Sequence, residues 1–282
     1  MNLGEARSKA LDVLSSIGVS NPFLEADFIL EWVMGKGKSF IHSHPEYLLN
    51  DREEEKLKEI LDRRSNREPW QYIAGEAEFW GLPFKVGPGC LVPRPDTEVL
   101  VEAALEVIDE GVFIDWGTGS GCITAALLSE RPTCRGIAVD SSARALWYAW
   151  QNFKNLDVLD RVLIWHSSGG WDLPKSCEKV DLIVSNPPYI PTNEIPGLMP
   201  EVRLYEPLEA LDGGSDGLKF YRFLFSVAEK ILGRGGYLAL EVGSSLQCDR
   251  LSLLGGKLFQ LVDVKKDLSG MDRVMVFKRR QT

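Results

Sequence analysis

Val112-Phe113-Ile114-Asp115-Trp116-Gly117-Thr118-Gly119-Ser120-Gly121-Cys122 is the stretch that decides the fold. A short apolar run closes on a carboxylate, turns through three glycines at alternate positions, and continues into the helix-favouring Ile123-Thr124-Ala125-Ala126-Leu127-Leu128. In a strand–turn–helix unit of this kind, nucleoside ligands bind at the carboxyl end of the strand. Glycine lets the backbone turn sharply and approach a ligand with no Cβ in the way. The spacing is G-x-G-x-G, whereas a dinucleotide fold prefers G-x-G-x-x-G with room for a pyrophosphate. Gly136-Ile137-Ala138-Val139-Asp140 repeats the strand-then-acid design and places a carboxylate where both ribose hydroxyls can donate to it. An ordinary glycine-rich turn is the plainer alternative, weakened by the position and the paired acids. The spacing points to S-adenosyl-L-methionine rather than to a dinucleotide.

Further along, strand-like and helical segments alternate. Val162–Trp165, Val180–Val184 and Tyr237–Val242 read as strands; Ser142–Phe153 and Phe220–Ile231 read as helices. Leu258–Val264 and Arg273–Phe277, joined by a turn at Gly270, close the chain as a hairpin whose last strand is antiparallel. This order predicts an α/β domain with a mostly parallel, doubly wound, Rossmann-like sheet that presents its ligands at the strand carboxyl ends.

Upstream, Glu78 to Val86 resembles two short strands around a glycine-containing turn, and Pro88, Gly89, Pro93 and Pro95 punctuate a linker before a helix over Thr97–Ile108. The first seventy or so residues read as three helices. Leu3, Ala6, Ala10, Val13, Leu14 and Ile17 recur at helical spacing, Asn21-Pro22 caps a second helix, and Asp51–Arg64 forms a third. The expected organisation is a helical domain over 1–75, a β-hairpin linker over 76–96, and the α/β domain over 97–282.

Asn186-Pro187-Pro188-Tyr189 follows the fourth strand, so it emerges at the same sheet edge as the glycine turn. Two prolines fix φ and remove two backbone donors, leaving a stiff run of carbonyl acceptors. The Asn186 side-chain oxygen and the Pro187 carbonyl can accept both hydrogens of one NH2 group, and Tyr189 offers an aromatic face to a planar one. Amide and exocyclic amino nitrogens are poor nucleophiles because their lone pair is delocalised. Fixed acceptors orient such a nitrogen and stabilise the cation that develops on it. The bland reading is a proline-stiffened loop after a buried strand.

The formal charge is −9 with no long basic run, which argues against a broad grip on a nucleic-acid backbone. No apolar stretch is long enough to span a bilayer, and the N-terminus carries no leader-like segment, so a cytoplasmic protein is expected. Five scattered cysteines (Cys90, Cys122, Cys134, Cys177, Cys248) fit reduced thiols better than a disulfide framework or a metal site. His42 and His44 lack acidic or cysteine companions and read as a solvated loop. Trp147, Trp150 and Trp165 read as packing residues; Trp171, after the third strand and Gly169-Gly170, lies where an adenine ring would sit.

Together these motifs resemble the HemK/PrmC family of release-factor glutamine methyltransferases. The resemblance rests on Trp70–Gly75, Pro93-Arg94-Pro95-Asp96-Thr97-Glu98, Asp115–Cys122, Ser185–Ile190, Glu206–Gly214, Asp216–Leu218, Leu240–Gly243 and Leu268–Val274. It covers the chain from about residue 67 onward. Asp96, Trp116 and Gly170 depart from the usual Glu, aliphatic and Asp.

The resemblance implies a class I methyltransferase domain and N5-methylation of the glutamine in the Gly-Gly-Gln loop of class 1 peptide chain release factors. It also implies a helical N-terminal domain that grips that protein substrate, with no membrane and no direct nucleic-acid partner. Gly117–Gly121, Asp140, Trp171 and Asn186 would line the donor site, and Asn186, Pro187, Pro188 and Tyr189 the glutamine site. The competing readings are an amino-directed, adenine N6-type nucleic-acid methyltransferase, a catalytically silent release-factor-binding module and, more remotely, a nicotinamide dehydrogenase.

Overall fold

Helix caps written into the sequence set the boundaries of the N-terminal part, in a computed structural model that describes residues 1–167 and 179–281. Helix α1 (Leu3–Ser16) opens on a reciprocal cap: the Asn2 side chain accepts from the Glu5 amide while the Glu5 carboxylate takes the Asn2 amide. Asn21 and Pro22 open α2 (Pro22–Met34), and Gly35, in the left-handed conformation, ends it. Next come α3 (Lys38–Ser43) and α4 (Asp51–Ser65), the latter capped by Asn50 and Glu53 in the same reciprocal way. A short α5 (Trp70–Ala74) follows.

The chain divides into two compact units, and this first one comprises Met1–Gly75 together with Pro200–Tyr205. Its core is Leu3, Leu14, Ile29, Leu30, Leu57 and Ile60. Each such side chain contributes about 1.5–3 kcal/mol on burial. Arg64 is only 2% exposed. It is bonded to the Glu25 carboxylate and the Glu68 carbonyl, and pairs with Glu201, which also accepts from Arg67 at 2.6 Å.

The second unit spans Glu76–Met199 and the chain from Glu206 on. Strands β1 (Glu76–Phe79) and β2 (Leu82–Lys85) form a hairpin. Its two turn residues, Trp80 and Gly81, both have positive φ, the twist that a two-residue hairpin turn requires. A 3-10 turn over Pro95–Thr97 leads into α6 (Glu98–Leu105).

Alternation then proceeds through β3 (Gly111–Trp116), α7 (Cys122–Glu130), β4 (Cys134–Asp140), α8 (Ala143–Asn155), β5 (Val162–His166) and β6 (Val180–Ser185). Helix α9 (Pro200–Tyr205) is the piece counted with the first unit. The chain continues through α10 (Lys219–Ile231), β7 (Leu232–Glu241), α11 (Ser245–Leu254), β8 (Phe259–Lys266) and β9 (Asp272–Arg279).

The sheet order is β5-β4-β3-β6-β7-β9-β8. The pairs from β5 to β7 are parallel, and β9 is antiparallel to both its neighbours. Successive strand residues feed opposite layers, as the two-residue period demands. Phe113, Leu182 and Val276 pack with Leu100, Leu127 and Phe153, whereas Ile114, Ile183 and Met275 pack with Tyr221, Leu224 and Leu251. Helices therefore cover both faces, which explains why β6 is buried at every position but Asp181. Strand order reverses between β3 and β6, the switch point where such sheets open a crevice.

Three sequence expectations need correction. The Thr97–Ile108 helix begins as a 3-10 turn at Pro95 and its α part ends at Leu105. The helical region contains α3 and α5 besides the three helices expected; at six and five residues they are too short to show a period. His42 lies on α3 rather than in a loop, and its Nε2 is 2.9 Å from the Asp27 carboxylate that also accepts from Arg7. Among the described residues no helix is long and apolar enough to cross a membrane, and Cys90, Cys122, Cys134 and Cys248 are buried.

Candidate functional site at the strand carboxyl ends

The turn after β3 is held open by its own backbone. The amides of Gly117 and Thr118 both donate to the Val139 carbonyl at the end of β4, at 2.8 and 2.9 Å, and the Gly121 amide donates to Thr118. Gly117, Gly119 and Gly121 all have positive φ, a region that costs other residues about 1–2 kcal/mol. The three glycines nonetheless serve different ends. A Cβ on Gly121 would lie 2.5 Å from the Phe153 ring, so that glycine admits helix packing. A Cβ on Gly117 or Gly119 would meet nothing within 4 Å. Those two line an open cradle.

Two carboxylates frame the cradle. Asp140 accepts from the Gly119 amide at 2.9 Å through Oδ2 and from the Ser142 amide at 2.8 Å through Oδ1. Burial raises its carboxyl above the ordinary range despite these donors. Asp115 is fully buried and takes the Thr118 and Thr124 hydroxyls on Oδ2, at 2.7 and 2.8 Å. Its Oδ1 has no hydrogen-bond partner among the described residues, and desolvation pushes the carboxyl up to about 6. Ser120 contributes its carbonyl to the buried Asn152 amide, which also bonds both backbone groups of Lys85. One asparagine thus ties the glycine loop, α8 and the hairpin together. An open glycine cradle, a carboxylate at the end of the next strand and an unpartnered buried acceptor fit a cationic nucleoside such as S-adenosylmethionine.

Asn186-Pro187-Pro188-Tyr189 leaves β6, the strand hydrogen-bonded beside β3, and Ser185 just before it bonds the Trp116 carbonyl at 2.6 Å. Asn186 Nδ2 donates to Thr97 Oγ1 at 3.1 Å. The Tyr189 hydroxyl donates to Glu241 at 3.4 Å, and its carbonyl accepts from the Gln247 amide at 2.8 Å. Gly213, Gly217 and Gly243 crowd the same residue so closely that a Cβ on any of them would collide with the Tyr189 backbone or ring. Burial and the neighbouring Glu241 push the tyrosine up to about 12, so it stays a neutral phenol. Glu241 is itself buried and is pushed up to about 7, with Thr97, Arg273 and Tyr189 opposing the shift and Asp96 adding to it.

The glycine turn, Asp140 and the tetrapeptide are thus brought to one sheet edge. Trp171 lies outside the described residues. Sequence reasoning overlooked Thr97, Arg94, Glu206 and Gln247 as parts of this site. The available signal was the clustering of proline and charge at Pro93–Glu98 and Glu206–Gly214: Arg94 pairs with Glu206, and the Ile190 and Gly213 backbones bond each other. Those segments build the wall behind Tyr189.

Comparison with known proteins bears on the family and the fold. The family model for the PrmC N-terminal domain matches residues 5–75, and that for the methyltransferase small domain matches residues 95–197. A release factor glutamine methyltransferase of Caulobacter vibrioides is 38% identical over 279 residues, covering 98% of this chain and 96% of the relative. One from Moorella thermoacetica is 39% identical over 287 residues, covering all of both chains. Among solved structures, a methyltransferase from Pyrococcus furiosus superposes with a TM-score of 0.55 at 20% identity, covering 78% of this chain and 98% of that one. That last likeness speaks to the fold.

Proposed function

The chain belongs to the family of release factor glutamine methyltransferases, and from that premise we propose its reaction and the residues that perform it. It transfers a methyl group from S-adenosyl-L-methionine to the side-chain amide nitrogen, N5, of the glutamine in the Gly-Gly-Gln motif of class 1 peptide chain release factors. The observation that carries this reading is the emergence of Gly117–Gly121 and Asn186–Tyr189 from the ends of adjacent parallel strands. That placement lets a donor cradle and an NH2-holding segment address one point.

S-adenosylmethionine, when bound, supplies an activated sulfonium methyl. Gly117 and Gly119 give it room, Thr118 and Ser120 complete the turn, and Asp140 takes the ribose hydroxyls. Asn186 Oδ1 and the Pro187 carbonyl accept the two hydrogens of the glutamine amide, and Pro188 keeps the segment stiff. Tyr189 lies against the planar amide and stabilises positive charge on its nitrogen. No protein nucleophile is needed, because positioning supplies most of what an activated methyl requires. The proposed setting is the cytoplasm, where release factors act.

Mass mapping after incubation with labelled donor and an intact release factor tests the assignment. Label on the Gly-Gly-Gln glutamine, lost when that glutamine is replaced, is expected. Label on DNA but not on the factor would sink it in favour of an adenine-type activity.

A further inference from the structure

Pro187 and Pro188 have no amide proton, so the middle of Asn186-Pro187-Pro188-Tyr189 cannot be tied down by backbone donors. Its course depends on what grips its two ends. At the near end Ser185 lies in the ladder of β6, and its hydroxyl donates to the Trp116 carbonyl at 2.6 Å. At the far end the Tyr189 carbonyl accepts at 2.8 Å from Gln247 Nε2, a side chain 58 positions away.

We propose that Gln247 is the positioning residue that holds the far end of the tetrapeptide, and with it the angle at which the Pro187 carbonyl meets the substrate. On the reading given above, on which this inference rests, that carbonyl takes one hydrogen of the glutamine NH2. Gln247 stands in the first turn of α11 and is 8% exposed. Its carboxamide joins three separate segments. Oε1 accepts from the Gly243 amide at 2.9 Å, just beyond β7. Nε2 donates to Tyr189 and, at 3.4 Å, to the Gly217 carbonyl in the loop before α10. These contacts decide which way round the carboxamide sits. Reversed, its NH2 would face the Gly243 N–H and its oxygen would face two carbonyls, so each contact would turn repulsive.

The peptide unit between Tyr189 and Ile190 is therefore held on both sides. Its N–H donates to the Leu211 carbonyl at 3.1 Å, and its C=O takes Gln247. With the Leu211 bond alone the unit is free to swing about that bond; the second bond sets its plane. Two glycines clear the room for this grip. A Cβ on Gly217 would lie 2.5 Å from the Tyr189 carbonyl oxygen and 2.8 Å from Gln247 Nε2. A Cβ on Gly243 would lie 2.6 Å from the Tyr189 ring and 3.3 Å from Gln247 Oε1.

The test uses the full chain with Gln247→Met, which keeps length and burial but offers no donor. Gln247→Asn accompanies it, because a carboxamide one methylene shorter cannot span Gly243 and Tyr189 together. Steady-state kinetics give kcat and KM for an intact release factor, with rates divided by the folded fraction. Carbonyl-labelled tyrosine combined with nitrogen-labelled isoleucine reports two peptide bonds by NMR, Tyr72-Ile73 and Tyr189-Ile190. The first belongs to the helical unit and serves as the internal control. Gln247→Met is expected to lower kcat on the order of 100-fold, the scale of a misplaced reacting group. Gln247→Asn should lower it in the same direction, and KM for the release factor should hold. In both variants the Tyr189 carbonyl signal should move while that of Tyr72 stays. Unchanged kcat, or a Tyr189 signal that does not move, overturns the proposal. So does a loss of rate that disappears once the folded fraction is counted. If the wild-type chain methylates no release factor, the assigned reaction fails instead, and the Tyr189 signal alone decides whether Gln247 holds that peptide.

Discussion

Arg94 Nη2 lies 2.7 Å from both carboxylate oxygens of Glu206, joining the proline-rich segment before α6 to the loop that walls in Tyr189. Glu206 is 6% exposed, and burial still holds its carboxyl above the usual range although Arg94 opposes the shift. Removing Arg94 would strand that carboxylate in a dry setting.

Arg94→Met should therefore destabilise the chain by about 2–4 kcal/mol, the scale of a broken buried pair moderated by the partial exposure of the arginine. Removing both partners as Arg94→Met with Glu206→Gln should cost less than the sum of the single changes. Urea denaturation of all four chains gives the cycle. Strict additivity would show that the pair is not a staple.

Gly121 and Gly117 share a positive φ but face different surroundings, so their alanine variants should fail differently. Gly121→Ala drives a methyl into Phe153 and should lower stability by about 2–3 kcal/mol through strain and overpacking together. Gly117→Ala should cost about 1–2 kcal/mol in backbone strain, while its methyl occupies the donor's side and weakens donor binding. Thermal melts and calorimetric titration separate the two. Equal donor affinity for Gly117→Ala and wild type would remove Gly117 from the donor site.

Acid pH should stabilise the ligand-free chain through Asp115 and Glu241, pushed up to about 6 and about 7, chiefly by burial. Between the ordinary carboxylate values near 4 and these raised ones, the folded chain keeps protons that the unfolded chain has lost. Unfolding therefore becomes easier as pH rises through that window, and the loss levels off above about 7. Each group removes on the order of 3 kcal/mol across its window. Urea midpoints measured from about pH 5 to about pH 8 should fall in the wild type and fall less in Asp115→Asn and Glu241→Gln. The groups facing these two are Thr118, Thr124 and Asp140 for the first, and Thr97, Tyr189, Arg273 and Asp96 for the second. An undiminished slope in both variants would contradict the burial argument.

Most of the sheet was legible because its signals are local. The strand–acid–glycine pattern of Val112–Gly121 and the Asn21-Pro22 cap each depend on residues a few positions apart. The tetrapeptide was legible as a stiff, acceptor-rich segment after a strand for the same reason. Thr97 was not, because its place beside the tetrapeptide depends on Asn186, 89 positions away. Nor was His42, whose partner Asp27 arrives from another helix. Local patterns report conformation; a hydroxyl or carboxylate acquires its role only when packing chooses its neighbours.

The cluster of Arg64 and Arg67 around Glu201 has a bearing on how the protein is made. Glu201 lies 134 positions beyond Arg67 in the chain. At synthesis rates of about 5–20 residues per second, the ribosome takes on the order of ten seconds to cover that distance. The helical unit thus emerges early but waits for its last carboxylate until most of the sheet has been translated. A gene cut after Gly75 would release a fragment in which Arg64 keeps Glu25 and the Glu68 carbonyl but Arg67 never meets Glu201.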